Sequence, residues 1–266
     1  MKKKIGFIGC GNMASAMIGG ILSAGVLKPE EIAVSNHTAP KLEQAKERFG
    51  VETTTDNHAV AAQSGILVLA VKPQLYAGVI EEISDDVPDG SVVVTLAPGK
   101  TLETLRDLFG RDLKLIRTMP NTPALVGEGM TALCPGSLVT EGELAEVARI
   151  FGSFGKTEVV TEAMMDAVVA VSGSSPAYVF MLLEAMADAA VMGGLPRDKA
   201  YAFAAQSVFG SAKMMLETGK HPGELKDMVC SPAGTTIEAV AALEQSGFRG
   251  DVIGAMRACM EKSASM

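Results

Sequence analysis

The stretch Lys4-Ile5-Gly6-Phe7-Ile8-Gly9-Cys10-Gly11-Asn12-Met13-Ala14 decides the fold class. A short apolar strand breaks into a glycine turn and then a helix, the order a dinucleotide pyrophosphate requires. Gly9 permits the tight turn, and Gly11 lets phosphates approach the backbone. Ala14, third in the G-x-G-x-x-G/A spacing, keeps the helix close to the strand. A helix expected over 12–24 then aims free N–H groups and the positive end of its dipole at the phosphates. A glycine triplet alone is a weak signal; the strand before it and the helix after it supply the context. Ile8, Gly9, Gly11, Asn12, Met13 and Ala14 are the first candidate cofactor-binding residues.

Outward from this unit, strands and helices alternate. Strands are expected at 31–35, 51–55, 66–71, 91–96 and 113–117, with helices over 39–49, 75–84 and 102–109. Ile66-Leu67-Val68-Leu69-Ala70-Val71 is continuously apolar, as a central parallel strand buried on both faces requires. The succession implies an α/β, doubly wound Rossmann sheet with right-handed crossovers. Two further short strands are expected to flank a helix opening at Thr140-Glu141-Gly142-Glu143, a capping-box pattern. Past Thr161 strand signals vanish. Ala- and Met-rich helices are expected over 163–171, 175–192, 197–217, 222–229, 236–246 and 250–262. The division is therefore a nucleotide-binding domain over 1–161 and an all-helical domain over 162–266.

The chain has 266 residues, 48% of them hydrophobic and only 20% charged, and its mean hydropathy is +0.26. Either the core is large or apolar surface meets another subunit. A net charge of −8 argues against nucleic acid and gives no basic face for an anionic membrane. The start Met1-Lys2-Lys3-Lys4 runs straight into a strand and reads as neither signal nor transit peptide, so the cytoplasm is the expected compartment. The 4 cysteines and 3 histidines are too scattered for a metal site or a C-x-x-C redox motif. Residues 177–192 are apolar on nearly every face, yet Glu184 and Asp188 interrupt them and the run reads as too short for a membrane span. A helix apolar all round is buried, and a shared interface with a second subunit is the expectation.

An Asp or Glu at the end of the second strand would mark NAD. Ser35-Asn36-His37-Thr38 stands there instead, with Lys41 a turn later. Hydroxyl, amide and imidazole groups can donate to a 2′-phosphate that a carboxylate would repel, so NADP(H) is preferred and NAD(H) is possible. Further loops leave the carboxyl ends of strands, where ligands bind in open sheets. They contribute Ala70, Val71, Lys72 and Pro73, then Ala97, then Met119, Pro120 and Asn121. Lys72 faces either a phosphate or solvent on this reading.

A second stretch, Val229-Cys230-Ser231-Pro232-Ala233-Gly234-Thr235-Thr236-Ile237-Glu238, lies where one helix ends and another begins. Small residues, three hydroxyls and a helix start make a seat for a carboxylate. The same residues also fit a plain capping box at Thr235-Thr236-Ile237-Glu238.

The opening glycine turn resembles that of the pyrroline-5-carboxylate reductase family. So do Ala70-Val71-Lys72-Pro73, Arg117-Thr118-Met119-Pro120-Asn121-Thr122-Pro123, Ser172-Gly173-Ser174-Ser175-Pro176-Ala177-Tyr178, and Ser231-Pro232-Ala233-Gly234-Thr235-Thr236 followed by Leu243-Glu244-Gln245-Ser246-Gly247-Phe248-Arg249. The resemblance implies NAD(P)H-dependent reduction of (S)-1-pyrroline-5-carboxylate to L-proline, by an intertwined dimer sometimes assembled into a decamer. It implies that Ser231, Gly234 and Thr235 hold the substrate carboxylate, that Thr236 bonds the ring nitrogen, that Glu162 approaches the substrate and that Asn57 touches the cofactor. Ser175 departs from the family pattern, where glycine is common. Two other readings stand beside this one. A β-hydroxyacid dehydrogenase would need a lysine on the long helix 175–192, which has neither Lys nor His; a non-catalytic NADP sensor would bind without turnover.

Overall fold

The computed structural model describes residues 3–96 and 98–265. β1 (Lys3–Ile8) leads into α1 (Asn12–Ser23), β2 (Ile32–Ser35) into α2 (Ala39–Phe49), β3 (Glu52–Thr54) into α3 (Asn57–Gln63), and β4 (Ser64–Leu69) into α4 (Tyr76–Ile83). Then come β5 (Val92–Thr95), α5 (Leu102–Phe109), β6 (Lys114–Met119), β7 (Gly129–Pro135), α6 (Glu141–Phe151) and β8 (Gly155–Val159). The eight strands form one sheet in the order β3-β2-β1-β4-β5-β6-β7-β8. Every pair is parallel except β6 with β7, because a short 3-10 turn at Thr122–Val126 reverses the chain between them.

Alternation along the buried strands sorts the core into two layers. Ile5, Phe7, Ile32, Val34, Ile66, Val68, Val92, Val94 and Ile116 face one side, under Met17 and Ile21 of α1, Leu42 of α2 and Ile150 and Phe151 of α6. Ile8, Ala33, Leu67, Leu69, Val93 and Leu115 face the other, under Val60 of α3, Tyr76 and Ile80 of α4 and Leu105 of α5. Both faces are covered, which is why these strands read as unbroken apolar runs. Each fully buried Ile, Leu or Phe contributes roughly 1.5–3 kcal/mol.

The expected helices match at α2 and α5, and the capping box forms. Thr140 Oγ1 accepts from Glu143 N at 3.3 Å, and Glu143 Oε2 accepts from Thr140 N at 3.0 Å. Three expectations need correction. A helix over Asn57–Gln63 went unread, although Asp56 caps it by accepting from Ala59 N at 3.2 Å. The strand expected to end at Arg117 continues to Met119, paired with Ala132. The helix expected over 163–171 is a 3-10 turn at Glu162–Met164, α7 (Met165–Val168) and a π turn at Val169–Gly173.

The chain packs as two compact units. The first holds the sheet and its helices up to Ser174 and regains the chain from Cys259. Within it, Ser263 Oγ donates to Asp166 Oδ1 at 2.7 Å, and Cys259 Sγ approaches Ser174 Oγ at 3.2 Å. The second unit, Ser175–Ala258, holds α8 (Ser175–Met192), α9 (Arg197–Thr218), α10 (Pro222–Val229), α11 (Thr235–Gln245) and most of α12 (Phe248–Ala264). The length argument against a membrane span does not survive. Helical turns ahead of Ser175 extend the run to Glu162–Met192, 31 residues, long and apolar enough to cross a membrane by length and composition.

One buried side chain fixes the tops of two central strands. Tyr76, fully buried, donates its hydroxyl to Leu69 O at 2.6 Å and accepts from Leu96 N at 3.0 Å. Tyr76→Phe strips both backbone groups of this partner without changing shape. It is expected to lower the unfolding free energy in urea by about 1–3 kcal/mol; an unchanged midpoint would show that the backbone finds other partners.

Candidate active site

The strand order reverses direction between β1 and β4, and ligands of open sheets bind beyond the carboxyl ends at such a point. Gly9 sits there with φ +102, and a Cβ on it would lie 2.7 Å from Ala70 O, so glycine is required on both counts. Its N–H donates to Ser35 O at 2.8 Å, while Ala70 N donates to Ile8 O at 2.8 Å, binding the crests of β2, β1 and β4 together. Gly11 is the N-cap of α1, with no side-chain cap and no acid in the first turn. A Cβ at Gly11 would meet nothing within 4 Å. The start of this 12-residue helix thus offers unoccupied N–H donors over open space. That is the form of a pyrophosphate cradle, and the residues fit a dinucleotide. Ala14 is buried beneath it, as is Cys10, whose thiol is pushed up chiefly by burial.

On the β2 side, Ser35 is fully buried and donates its hydroxyl to Asn57 Oδ1 at 2.7 Å. Asn57 Nδ2 donates in turn to Glu82 Oε2 at 2.9 Å, which fixes the orientation of the amide. Asn36 is nearly buried, with Nδ2 donating to Thr38 O at 3.3 Å, and His37 and Lys41 are exposed beside it. Ser35, Asn36, His37 and Asn57 are therefore brought together. Sequence reading missed Glu82, which α4 delivers from 25 residues away. It also missed His58, whose pKa is raised by its bond to Asp86 at 2.6 Å.

On the β4–β6 side, a cavity of about 280 Å³ is lined by Met13, Ala70, Val71, Leu96, Met119, Pro120, Asn121, Thr122 and Gly173. Most of the residues expected there meet in it. Lys72 and Pro73 follow at the mouth of the β4 turn, with Lys72 exposed; Ala97 lies outside the described residues. The Asn121 side chain is already engaged. Its Oδ1 accepts from Met130 N at 2.8 Å, and its Nδ2 donates to Ser172 O and Oγ, both at 3.2 Å. It braces the cavity wall. Glu162 Oε1 accepts from Leu102 N at 2.8 Å and from Arg117 Nη1 at 3.1 Å.

In the helical unit, α10 ends at Val229 and the chain turns through Ala233 at φ 54, the one non-glycine residue with positive φ among those described. Such a backbone costs on the order of 1–3 kcal/mol. A Cβ at Gly234 would lie 2.3 Å from Ser231 Oγ and 3.1 Å from Ser231 O, so a larger residue would have to displace the Ser231 hydroxyl. The capping-box alternative does not form: Gly234 is the N-cap of α11, no side chain caps it, and the helix begins at Thr235. Ser231 and Thr235 are exposed and Thr236 is half-buried beside the free amides.

Residues 162–266 match the family described as pyrroline-5-carboxylate reductase dimerisation, and residues 4–99 match NADP oxidoreductase coenzyme F420-dependent. The pyrroline-5-carboxylate reductase of Escherichia coli strain K12 is 54% identical over 266 residues, covering 100% of this chain and 99% of that protein. The chain belongs to the pyrroline-5-carboxylate reductase family. Two solved members agree in fold. The reductase from Coxiella burnetii superposes with a TM-score of 0.93 at 35% identity, covering 100% of this chain and 98% of that one. The Plasmodium falciparum reductase, solved with NADP bound, gives 0.90 at 31%, covering 99% and 97%. The matched dimerisation region is also where apolar side chains stand in the open. Phe180, Met181, Phe203, Phe209 and Leu216 are each more than half exposed, and the buried residues of the unit are Ala187, Ala200 and Ala204 among those described. An apolar surface of this extent marks an interaction site.

Asn36→Asp places a carboxylate where the β2 crest now offers an amide. The ratio of kcat/KM for NADPH over NADH should fall by about tenfold, or ~1.4 kcal/mol. An unchanged ratio would detach this crest from 2′-phosphate recognition.

Proposed function

We propose that this chain reduces (S)-1-pyrroline-5-carboxylate to L-proline, with NADPH preferred and NADH accepted, as the last step of proline biosynthesis. The observation that carries the reading is likeness to pyrroline-5-carboxylate reductases along the whole chain. The uncapped, acid-free start of α1 and the uncapped α11 turn support it. A nucleotide-binding domain over 1–161 and a helical substrate-binding and dimerisation domain over 162–266 suit this reading, with the dimerisation match beginning at 162. The packing units divide at Ser174/Ser175.

The chemistry supplied by bound NADPH is delivery of a hydride to the C=N carbon. The chain's own part is binding and orientation. The Asn12, Met13 and Ala14 amides hold the pyrophosphate, the Ser35–Asn36–His37 crest with Asn57 holds the adenosine end, and Val71, Met119, Pro120 and the Asn121 backbone flank the nicotinamide. Amides of Gly234 and Thr235 with the Ser231 hydroxyl hold the substrate carboxylate, and Glu162 stands on the substrate side. Thr236 Oγ1 bonds the ring nitrogen; an imine protonated from solvent becomes a neutral secondary amine on taking the hydride, so the chain need supply no proton. A protonated imine is the better hydride acceptor, so orientation over the cofactor provides most of the catalysis and no histidine base is required. The working unit is a homodimer in the cytoplasm, with decamer assembly as the larger state; neither membrane nor nucleic acid is a partner.

Loss of NADPH absorbance on adding racemic pyrroline-5-carboxylate tests the reading; binding without turnover would make the chain an NADP sensor. Thr236→Val should lower kcat by roughly 10–100-fold through loss of a bond worth about 1.5–3 kcal/mol to a charged partner. A variant with wild-type kcat would remove Thr236 from the mechanism.

A further inference from the structure

We infer that Arg117 is a positioning residue that shapes the nicotinamide half of the dinucleotide pocket through the Glu162 carboxylate. The inference rests on the dinucleotide reading above and adds a residue to it. Arg117 lies on β6, and its side chain is only 5% exposed, on the sheet face it shares with Val93 and Leu115, the layer covered by Leu105 of α5. A guanidinium in such a layer needs a reason, because a buried ion pair is often no more stabilising than apolar residues of the same volume. What it does is hold one oxygen atom. Glu162 Oε1 receives Arg117 Nη1 at 3.1 Å and the Leu102 amide at 2.8 Å, from positions 45 and 60 residues away.

Each of the three anchored segments runs into the cavity wall. Arg117 is two residues before Met119, which begins the wall formed by Met119, Pro120, Asn121 and Thr122. Leu102 opens α5, and the loop before it starts at Leu96, another lining residue. Glu162 opens the helical turns that end at Gly173, the last lining residue. One carboxylate oxygen therefore fixes three sides of one cavity. The Gly9–Gly11 cradle and the β2 crest receive none of these bonds. A second observation supports a role other than stability. Arg117 Nε and Thr95 Oγ1, on register-paired residues of adjacent parallel strands, are both buried with no partner among the described residues. The guanidinium is thus held at a cost in unsatisfied polar groups, a pattern that calls for a specific explanation.

The test separates the two halves of the dinucleotide in the full-length protein. Dissociation constants for NADPH and for adenosine 2′,5′-bisphosphate, which lacks the nicotinamide half, are measured by calorimetry for wild type, Arg117→Met and Arg117→Lys. Arg117→Met should weaken NADPH by about tenfold while the bisphosphate changes by less than about twofold, and Arg117→Lys should recover most of the loss. Amide exchange over 99–102 should quicken in Arg117→Met and not in Arg117→Lys. Equal weakening of both probes, or no weakening of either, overturns the inference and leaves a structural ion pair. Should Arg117→Met fail to fold, Glu162→Gln serves in its place. It keeps an acceptor for Leu102 N but loses the charge facing Arg117, and the same split between probes is expected at smaller size. Because neither probe requires turnover, a wild type that binds NADPH yet fails to reduce pyrroline-5-carboxylate would sink the functional reading without touching this one.

Discussion

The architecture depends on the closeness of two backbones at the crest of the sheet. Gly9 must turn with a positive φ while lying against the carbonyl of Ala70, and no side chain is compatible with either demand. This contact sets where β1 stops, where α1 starts and how near the α1 amides come to the crest of β4. The two apolar layers below are conventional in chemistry. Their role is to hold β1 and β4 rigidly enough that the contact persists. Tyr76 performs the same task from the opposite layer, tying β4 to the end of β5 through one hydroxyl.

Much of this was legible because it is local. The glycine turn, the span of α2, the Thr140 capping box and the unbroken apolar runs of β4 and β5 are each written within a dozen residues. The failures are also physical. α3 is a seven-residue helix with two buried positions, too short for its periodicity to stand out. β6 gains its last residues from β7, a partner that local pattern does not reveal. The pairing of Arg117 with Glu162 and of Asn57 with Glu82 joins positions far apart in the chain, and no spacing rule connects them.

Site residues sort themselves in a similar way. Backbone-defined features, the α1 and α11 starts, were readable because small residues are demanded there. Side-chain roles were less so. Asn121, expected among the cofactor-binding residues, is a brace whose amide is engaged on both its oxygen and its nitrogen, and Ser35, expected to donate to a 2′-phosphate, is buried and donates to Asn57 instead. A polar residue in a binding loop is as often a strut for the loop as a ligand contact, and only its partners distinguish the two.

The helical unit carries a consequence for how the chain reaches its native state. With three alanines as its buried residues among those described, it has almost no interior of its own. Its ordering free energy must come from a second protomer, so acquisition of structure there is a bimolecular event. Assembly of the helical unit is therefore sensitive to protomer concentration, since its open apolar surface finds cover only where two copies meet.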